Sequence, residues 1–310
     1  MQTEKFSYSK LEVFNQCPMK FKLKYEDKNF SSKTSLALEL GTLLHKGKEL
    51  IGNSLMNNIK INYKDIENLI NEGYNEKENK RQSQILGIKD LKEKYFFEWV
   101  EKDSKSNMNY DEKIQLYVQH LKDMEEDKEW KPIACELLFT FLFQDKYLFN
   151  GYIDKIDSNK EDELRLTDYK SSKAIYPDAE IKTPLQMVIY DLAIQQEMKK
   201  IPKVHIYDFI LLNKQQEACS KGYLKRGQNK LDKIFNSLEE CRNTKIYTPK
   251  PSPLCHWCDF CKTNANAEDK YKFLCPYHSL WLPEQKTYEV NQKFNVEDNK
   301  GQDKATDFWF

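Results

Sequence analysis

Two short runs, GYIDKID at 151–157 and LRLTDYK at 164–170, flank the polar turn SNKEDE and constrain this chain more than any other feature. A symmetric hairpin centred near residue 161 places Asp154 opposite Asp168 on adjacent strands. Carboxylates that face each other destabilise a sheet unless a cation lies between them. Because oxygen ligation suits hard ions, the hairpin predicts a site for Mg²⁺ or Mn²⁺.

Lys170 lies two residues after Asp168, so strand alternation puts both side chains on one face of the sheet. The Tyr169 side chain then points away, while its carbonyl stays near the metal. An ammonium group beside the ion can orient a water and offset the charge of a phosphoryl transition state. An isolated D-x-K pattern is more often a surface ion pair, so its meaning depends on the surrounding sequence.

The segments around the hairpin predict a mixed α/β core. Residues 133–143 have the composition of a strand, and 203–214 is expected to form a further strand. Pro184 is expected at the first position of the amphipathic helix between them.

Two helical regions are predicted before the sheet. Residues 37–51 form a helix that carries Gly41 and His45 on one face, four residues apart. The lysine- and glutamate-rich stretch 57–130 has apolar residues at helical intervals and predicts an insertion of several amphipathic helices.

Composition excludes some classes of protein but does not identify a substrate. The chain has 49 basic and 49 acidic residues, so its net charge neither supports nor excludes nucleic acid as a ligand. The sequence contains no apolar run of membrane-helix length and no apolar signal peptide, which predicts a cytoplasmic protein that does not bind membranes.

The N-terminal segment is predicted to deliver a cysteine. Ser7 caps a short helix that ends near Cys17. Beyond it, Lys20, Lys22 and Lys24 alternate with apolar residues, as in a strand or at a basic helix edge, and the pattern does not choose between them.

Four further cysteines lie close together near the other end of the chain. Cys255, Cys258 and Cys261 form C-x-x-C-x-x-C, and Cys275 precedes a proline. With Cys17 they indicate a four-thiolate site for zinc or an iron–sulfur cluster, and spacing alone does not decide the metal.

The motifs GTLLH, GYIDKID, LTDYKSS and QMVIY, in this order along the chain, resemble the PD-(D/E)XK nuclease superfamily over about residues 6–280. The nearest branch comprises the RecB and AddB nuclease domains and the CRISPR-adaptation exonucleases. The resemblance implies a restriction-endonuclease-like mixed β-sheet flanked by helices, with an active centre made of His45, Asp154, Asp168 and Lys170.

The same resemblance assigns metal binding to His45, Asp154, Asp168 and the Tyr169 carbonyl. It places Gln186 and Tyr190 beside the active centre, in contact with the DNA backbone. Glu136 falls where the family usually has an acidic residue, one strand before the hairpin.

The branch often carries a [4Fe–4S] cluster, with one cysteine ligand near the N-terminus and three near the C-terminus. The resemblance therefore favours iron–sulfur over Zn²⁺ and implies the ligands Cys17, Cys255, Cys258 and Cys275. The last ligand of the family usually lies closer to the C-x-x-C pair, which leaves Cys261 as an alternative. The cluster would join the N- and C-terminal segments without redox chemistry on the substrate.

The predicted domains are a nuclease domain at 1–283, with its cysteine segment at about 249–280, and a flexible tail at 284–310. The ending QDKATDFW resembles a sliding-clamp-binding peptide with Gln302 first. Phe308, Trp309 and Phe310 would dock into the clamp, although Ala305 stands where a larger aliphatic residue is usual.

Together these patterns predict a metal-dependent DNA exonuclease that acts on single-stranded ends in recombination, repair or CRISPR adaptation. Its host would be a bacterial, archaeal or phage-infected cell. A helicase or recombination partner is expected to be separate, because no G-x-x-x-x-G-K-[ST] signature is present. The alternative is a non-catalytic iron–sulfur or zinc DNA-binding subunit, against which the intact set of active-site residues argues.

Overall fold

The computed structural model describes residues 3–30, 36–64, 127–172, 174–212, 214–262 and 267–275, and the single positions 66, 119, 122 and 264. Most of the predicted insertion and all of the predicted tail lie outside these residues. The chain divides into two compact units. The first contains Met1–Thr3 and Thr34–Arg226, and the second contains Glu4–Lys33 and Gly227–Phe310.

The described elements include six strands and six α-helices. In order they are β1 (Glu4–Phe6), α1 (Tyr8–Gln16), α2 (Pro18–Phe21), a π-helical turn (Lys22–Glu26), α3 (Leu36–Met56), β2 (Lys131–Phe143), β3 (Tyr147–Ser158), β4 (Leu164–Lys170), α4 (Asp178–Ile181), α5 (Leu185–Met198), β5 (Val204–Phe209), β6 (Lys214–Glu217) and α6 (Tyr223–Thr244). None of the helices in the described ranges is long and apolar enough to cross a membrane.

The first unit is built on a mixed sheet in which β2, β3, β4, β5 and β6 are neighbours in that order. The β2/β3, β3/β4 and β5/β6 pairs are antiparallel, whereas β4 and β5 are parallel. Helices α3 and α5 contact β2. The predicted mixed α/β class is confirmed for this unit.

The β3–β4 hairpin has the predicted register. Lys155 pairs with Thr167 and Ser158 pairs with Leu164. Asp154 and Asp168 are therefore level with each other, one position beyond the last described pair. The turn is stabilised by Asn159, whose side-chain oxygen accepts hydrogen bonds from the backbone N–H groups of Glu161 and Glu163.

The sheet carries the core of the first unit. Phe149 and Ile156 of β3, Leu166 of β4 and Phe209 of β5 are fully buried. On α5, Met187, Val188 and Ile189 are also fully buried, so this helix packs its apolar side chains inside the unit. Burial of each such side chain contributes roughly 1.5–3 kcal/mol.

Two expected boundaries are wrong. The strand predicted at 203–214 ends at Phe209, because Ile210–Leu212 form a 3₁₀ turn from which β6 folds back antiparallel to β5. Pro184 is the N-cap of α5 rather than its first helical residue, since its backbone is still extended. A proline is compatible with either position, because neither needs a donated N–H.

The second unit brings the N-terminal segment together with α6. Phe6 packs edge-on against Phe235 at 5.1 Å between ring centroids. Arg242 donates hydrogen bonds to the carboxylates of Glu4 and Glu26. These contacts hold residues from both ends of the chain in one unit.

The structure of the N-terminal segment shows whether Lys20, Lys22 and Lys24 lie in a strand or in a helix. The Ser7 hydroxyl accepts from the Lys10 N–H, as a cap should, and α1 ends just before Cys17. Pro18–Phe21 and Lys22–Glu26 are helical and π-helical, so the alternating lysines do not form a strand.

Two leucines of the sheet provide a matched test of this packing. We expect Leu166→Ala to lower the free energy of unfolding by about 2–5 kcal/mol, because it empties a fully buried position. Leu138→Ala, at a position that is 55% exposed, should change it by less than about 0.5 kcal/mol. Urea titrations followed by circular dichroism measure both values. Equal losses would contradict the described orientation of the strands.

Candidate active site

Three carboxylates lie level with one another on neighbouring strands. In the β2–β3 ladder Cys135 pairs with Lys155. One position further along, Glu136 of β2 is therefore level with Asp154 of β3, and the hairpin register puts Asp168 of β4 on the other side. Such a row is unfavourable without compensating positive charge, since like charges opposite each other repel.

Glu136 has an unusual backbone for a strand residue. Its φ is 47°, in the left-handed region that residues with a Cβ rarely adopt. Strain of this kind costs on the order of 1–3 kcal/mol and clusters at functional sites. The ladder continues on both sides of Glu136, so this backbone irregularity is confined to one residue.

His45, from α3, lies against two of these carboxylates. Its Nδ1 is 3.6 Å from Asp154 Oδ1 and 3.8 Å from Glu136 Oε1. The helix comes close to the strand end here, because a Cβ on Gly41 would lie 3.1 Å from Ser171 Oγ. Gly41 therefore allows the approach that places His45 over the carboxylates.

The charge around His45 makes its imidazole strongly basic. Burial alone would lower the pKa of His45, but the carboxylates of Asp154 and Glu136 outweigh it and raise the pKa to about 10. The imidazole is thus protonated at neutral pH when no metal is bound. The proton supplies the positive charge that the carboxylate row requires.

The same three residues are suited to holding a divalent ion. One ligand atom from each of His45, Glu136 and Asp154 lies within 4.8 Å of the other two. Opposite ligands around Mg²⁺ are about 4.2 Å apart, so a small contraction would bring this set into coordination distance. Its two carboxylates and one imidazole are all common ligands of divalent metal ions in proteins.

Asp168 is the centre of a polar network. Its Oδ1 accepts a hydrogen bond from Gln186 Nε2 at 2.7 Å and lies 3.3 Å from the Tyr190 hydroxyl. Lys170 Nζ is 2.6 Å from Asp168 Oδ2 and donates to Gln186 Oε1 at 2.8 Å. Gln186 therefore holds both the aspartate and the lysine.

The second carboxylate oxygen of Asp168 lies beside the Lys170 ammonium group. Oδ2 is buried and has no hydrogen bond of acceptable geometry to any described residue, although Lys170 Nζ is close to it. Burial raises the pKa of Asp168 to about 6, with Lys170 opposing the shift and Asp154 adding to it. Lys170 remains charged, because Asp168 more than offsets burial and raises its pKa.

The predicted site residues of the first unit come together. His45, Asp154, Asp168, Lys170, Gln186 and Tyr190 all take part in the contacts above. The Tyr169 backbone N–H donates to Asp154 Oδ2 at 2.7 Å and orients that carboxylate. Metal ligation by the Tyr169 carbonyl and by Asp168 stays a prediction, as does DNA contact by Gln186 and Tyr190.

Glu136 is the residue that sequence reasoning undervalued. The geometry gives it the position beside His45 and Asp154 in the compact ligand set. Glu136 is the only acidic residue in the otherwise apolar run 133–143, and that isolation was the available signal.

Five cysteines lie close together in the second unit. Cys17, Cys255, Cys258, Cys261 and Cys275 all line one cavity. Of these, Cys261 is buried and the other four are half-buried. The Cys275 N–H donates to the Phe260 carbonyl at 3.1 Å, which brings Cys275 next to Cys261 despite their separation in sequence. The cavity thus contains both candidates for the fourth ligand.

Burial and mutual contact raise the pKa of two of these thiols, Cys255 and Cys258. Burial raises the pKa of Cys258 to about 11. A hydrogen bond with Cys261 raises the pKa of Cys255, and burial adds to it. A bound metal cation would reverse this shift, because coordinated thiols lose their proton.

In the first unit, a mixed sheet presents a row of carboxylates, an imidazole and a lysine, which defines a class of metal-binding hydrolytic sites suited to phosphodiesters. The chain belongs to the PD-(D/E)XK nuclease superfamily, whose family model matches residues 5–262. This membership indicates a metal-dependent nuclease. A search of curated proteins finds no match to the chain.

Metal binding at His45 should depend on pH. An ion must displace the proton of His45, so we expect Mn²⁺ affinity to rise about tenfold per pH unit between pH 6 and 8. The sign follows from the raised pKa, because His45 stays protonated across this range until metal binds. Isothermal titration calorimetry in two buffers measures the affinity and the released proton.

His45→Gln is the matched variant for this experiment. Its amide carries no titrating proton, so it should bind Mn²⁺ more weakly and with a shallower dependence on pH. A wild-type affinity that does not change with pH would contradict ligation by His45.

Proposed function

We propose that this protein is a Mg²⁺- or Mn²⁺-dependent DNA exonuclease that acts on single-stranded ends. The observation that carries the proposal is the position of Lys170 beside Asp168, in the same row of carboxylates that His45 contacts. Lys170 is oriented by both Gln186 and Asp168. A site intended only to bind a metal has no need of an oriented cation next to it.

The side chains of the site would have different roles in metal binding and in hydrolysis. His45, Glu136 and Asp154 would hold the ion, with Asp168 Oδ2 as the next oxygen. A bound Mg²⁺ or Mn²⁺ would acidify a water and polarise the phosphate. Lys170 would donate a hydrogen bond to the attacking water or to a phosphate oxygen, where negative charge increases in the transition state.

Gln186 and Tyr190 would position Asp168 and Lys170 and would not themselves react with the substrate. Gln186 donates to Asp168 and accepts from Lys170, so it keeps the carboxylate and the ammonium in a fixed relation. Tyr190 lies on the same helix face and holds Asp168 Oδ1 through its hydroxyl. Burial raises the pKa of Tyr190 far above its usual value, so the hydroxyl remains a hydrogen-bond donor.

The substrate must reach the site from solvent. The side chains of His45 and Glu136 are 31% and 29% exposed, whereas Asp168 is buried behind them. This arrangement supports approach of a phosphodiester from the side of His45 and Glu136. The preference for single-stranded ends, and a role in recombination, repair or CRISPR adaptation, rest on the resemblance to the RecB, AddB and CRISPR-adaptation branch.

Conservative substitutions test the proposed chemistry. We expect Lys170→Met and Asp154→Asn to lower the rate of DNA cleavage by about 100-fold or more, since each removes a charge that acts on the transition state. Lys214→Met, at an exposed position of β6, is the matched control and should cleave like wild type. End-labelled single-stranded and duplex DNA with Mn²⁺ are the substrates.

Circular single-stranded DNA distinguishes an exonuclease from an endonuclease. An exonuclease leaves the circle intact, because it has no end. Undiminished cleavage by both active-site variants would overturn the assigned site. A folded, metal-binding wild type without activity would favour the non-catalytic DNA-binding subunit.

We also propose that the second unit binds a [4Fe–4S] cluster through Cys17, Cys255, Cys258 and Cys275, with Cys261 as the alternative fourth ligand. Five thiol side chains around one cavity fit a thiolate-bound metal group. Because the ligands come from both ends of the chain, the cluster would close a long loop and stabilise the unit. A zinc site is the alternative with the same ligands.

Anaerobic reconstitution distinguishes these two metals. We expect a brown protein with about four irons and four sulfides per chain. Cys17→Ser should lose most of the iron, and comparing Cys275→Ser with Cys261→Ser identifies the fourth ligand. Cys241→Ser, which lies outside the cavity, is the control. A colourless protein that retains zinc instead would contradict the cluster.

The proposed activity also implies partners. A helicase or recombination protein would supply single-stranded ends, and a sliding clamp is the proposed target of the tail through Phe308, Trp309 and Phe310. These proposals, and a cytoplasmic location, rest on the sequence patterns alone.

A further inference from the structure

Helix α5 carries Gln186 and Tyr190, which hold Asp168, but six of its eight buried residues are apolar. The five consecutive residues 187–191 are all buried. Because five residues make more than one full turn of an α-helix, α5 is enclosed on every side. Apolar packing is non-directional, so it fixes the rotation of such a helix less sharply than a hydrogen bond does. A directional contact is therefore valuable on this helix.

Asp191 makes such a contact, on the residue that directly follows Tyr190. Its two carboxylate oxygens both lie 2.9 Å from His205 Nε2, on β5. The Tyr223 hydroxyl, at the start of α6, donates to Asp191 Oδ2 and lies 3.2 Å from His205 Nε2. These three residues, Asp191, His205 and Tyr223, form what we call the α5 anchor.

The α5 anchor is shielded from water. Asp191 and His205 are 0% and 2% exposed, and the rings of His205 and Tyr223 meet edge-on at 5.1 Å between centroids. Burial and the charge of Asp191 raise the pKa of Tyr223, so its hydroxyl keeps the proton that it donates. Desolvation offsets much of the stability that a buried charged group contributes, and the best-attested benefit of such groups is that they select one packing arrangement.

The α5 anchor and the active site hold the helix at two neighbouring strands. His205 pairs with Leu166 in the parallel β4–β5 ladder, so it lies two positions from the level of Asp168, roughly 6.5 Å along the sheet. Helix α5 connects these parallel strands and runs back along them. Gln186 and Asp191 are five positions apart, which is roughly 7.5 Å along the helix. The two spacings match, so one register of α5 satisfies both sets of contacts.

We propose that Asp191 is a positioning residue, which fixes the register of α5 through His205 and Tyr223. Without this anchor, α5 would stay buried but would be able to rotate or slide, and Gln186 would release Lys170. The described contacts of Asp191 include none of the candidate metal ligands, so its effect passes through Gln186. The effect on cleavage rests on the proposed nuclease function, whereas the effect on Lys170 does not.

The chemical reactivity of Lys170 measures its positioning without any cleavage. Acetic anhydride acylates free amines, and an amine that is held by hydrogen bonds reacts slowly. We expect Asp191→Asn and Gln186→Leu each to raise the rate of Lys170 acylation by about fivefold, which corresponds to one hydrogen bond. Mass spectrometry of the Lys170 peptide from the full chain gives this rate. Glu197→Gln, at an exposed position of the same helix, is the matched control and should react like wild type.

A fully apolar anchor provides a second variant in case Asp191→Asn fails to fold. The triple variant Asp191→Leu, His205→Leu and Tyr223→Phe leaves no unpaired polar group, and such replacements of buried ion pairs are often neutral for stability. It should fold and still show the faster acylation of Lys170. A folded triple variant with the wild-type acylation rate would refute the positioning role.

A purely structural role of Asp191 predicts a different result. Phe149→Leu removes volume at a fully buried position of β3 and should lower the free energy of unfolding. We expect Lys170 to react at the wild-type rate in this variant at temperatures where it remains folded. If Phe149→Leu and Asp191→Asn raise the acylation rate equally, loss of stability alone explains the effect and the proposal is wrong.

The kinetic constants of DNA cleavage provide an independent test. We expect Asp191→Asn to lower kcat by about fivefold and to leave KM and the affinity for Mn²⁺ within about twofold of wild type. Adding Asp191→Asn to Gln186→Leu should cause no further loss, because both changes act on the same contact. Losses that multiply in the double variant would show that Asp191 does not act through Gln186.

The two readouts separate this proposal from the proposed nuclease function. If the wild type cuts no DNA but Asp191→Asn still speeds acylation of Lys170, the nuclease function fails and the positioning role stands. If cleavage requires Lys170 but acylation is the same in wild type and in every folded Asp191 variant, the positioning role fails and the nuclease function stands.

Discussion

Electrostatic repulsion within one row of carboxylates is the constraint on which the rest of the first unit depends. Glu136, Asp154 and Asp168 are level with one another on three adjacent strands, where the sheet alone offers nothing to separate their charges. His45 lies beside Glu136 and Asp154, and Lys170 lies beside Asp168. A divalent ion would take over the role of the His45 proton and add one further positive charge.

The network around Asp168 shows how the fold reduces the conformational freedom of a long side chain. A lysine on a sheet surface usually loses considerable rotamer entropy when it is fixed in one geometry. Here Gln186, on the buried face of α5, has already paired with Lys170 and Asp168. The ammonium is thus positioned before any substrate arrives, which is how prearranged groups lower a reaction barrier.

The hairpin was the part of the fold that could be predicted most directly from the sequence. Its turn residues and alternation set the register that places Asp154 level with Asp168. Helix periodicity likewise placed His45 on α3, and Gln186 and Tyr190 on one face of α5. These predictions succeeded because local spacing determines which residues share a face.

Features that depend on contacts between elements far apart in the sequence could not be predicted in this way. The left-handed backbone of Glu136 arises inside a strand whose pattern reads as regular. The end of β5 at Phe209 depends on the antiparallel return of β6, which the apolar run 203–214 does not signal.

The close approach at Gly41 has a consequence for the choice of metal. The imidazole donor comes from a helix and the carboxylates come from a sheet, so the distance between these two layers determines the size of the coordination sphere. The Ser171 hydroxyl would be 3.1 Å from a Cβ at position 41, which leaves little room for adjustment. Because Mg²⁺ requires a nearly ideal octahedron and larger ions tolerate wider spacing, the size of the residue at position 41 would influence which ion a site at His45 and the carboxylates accepts.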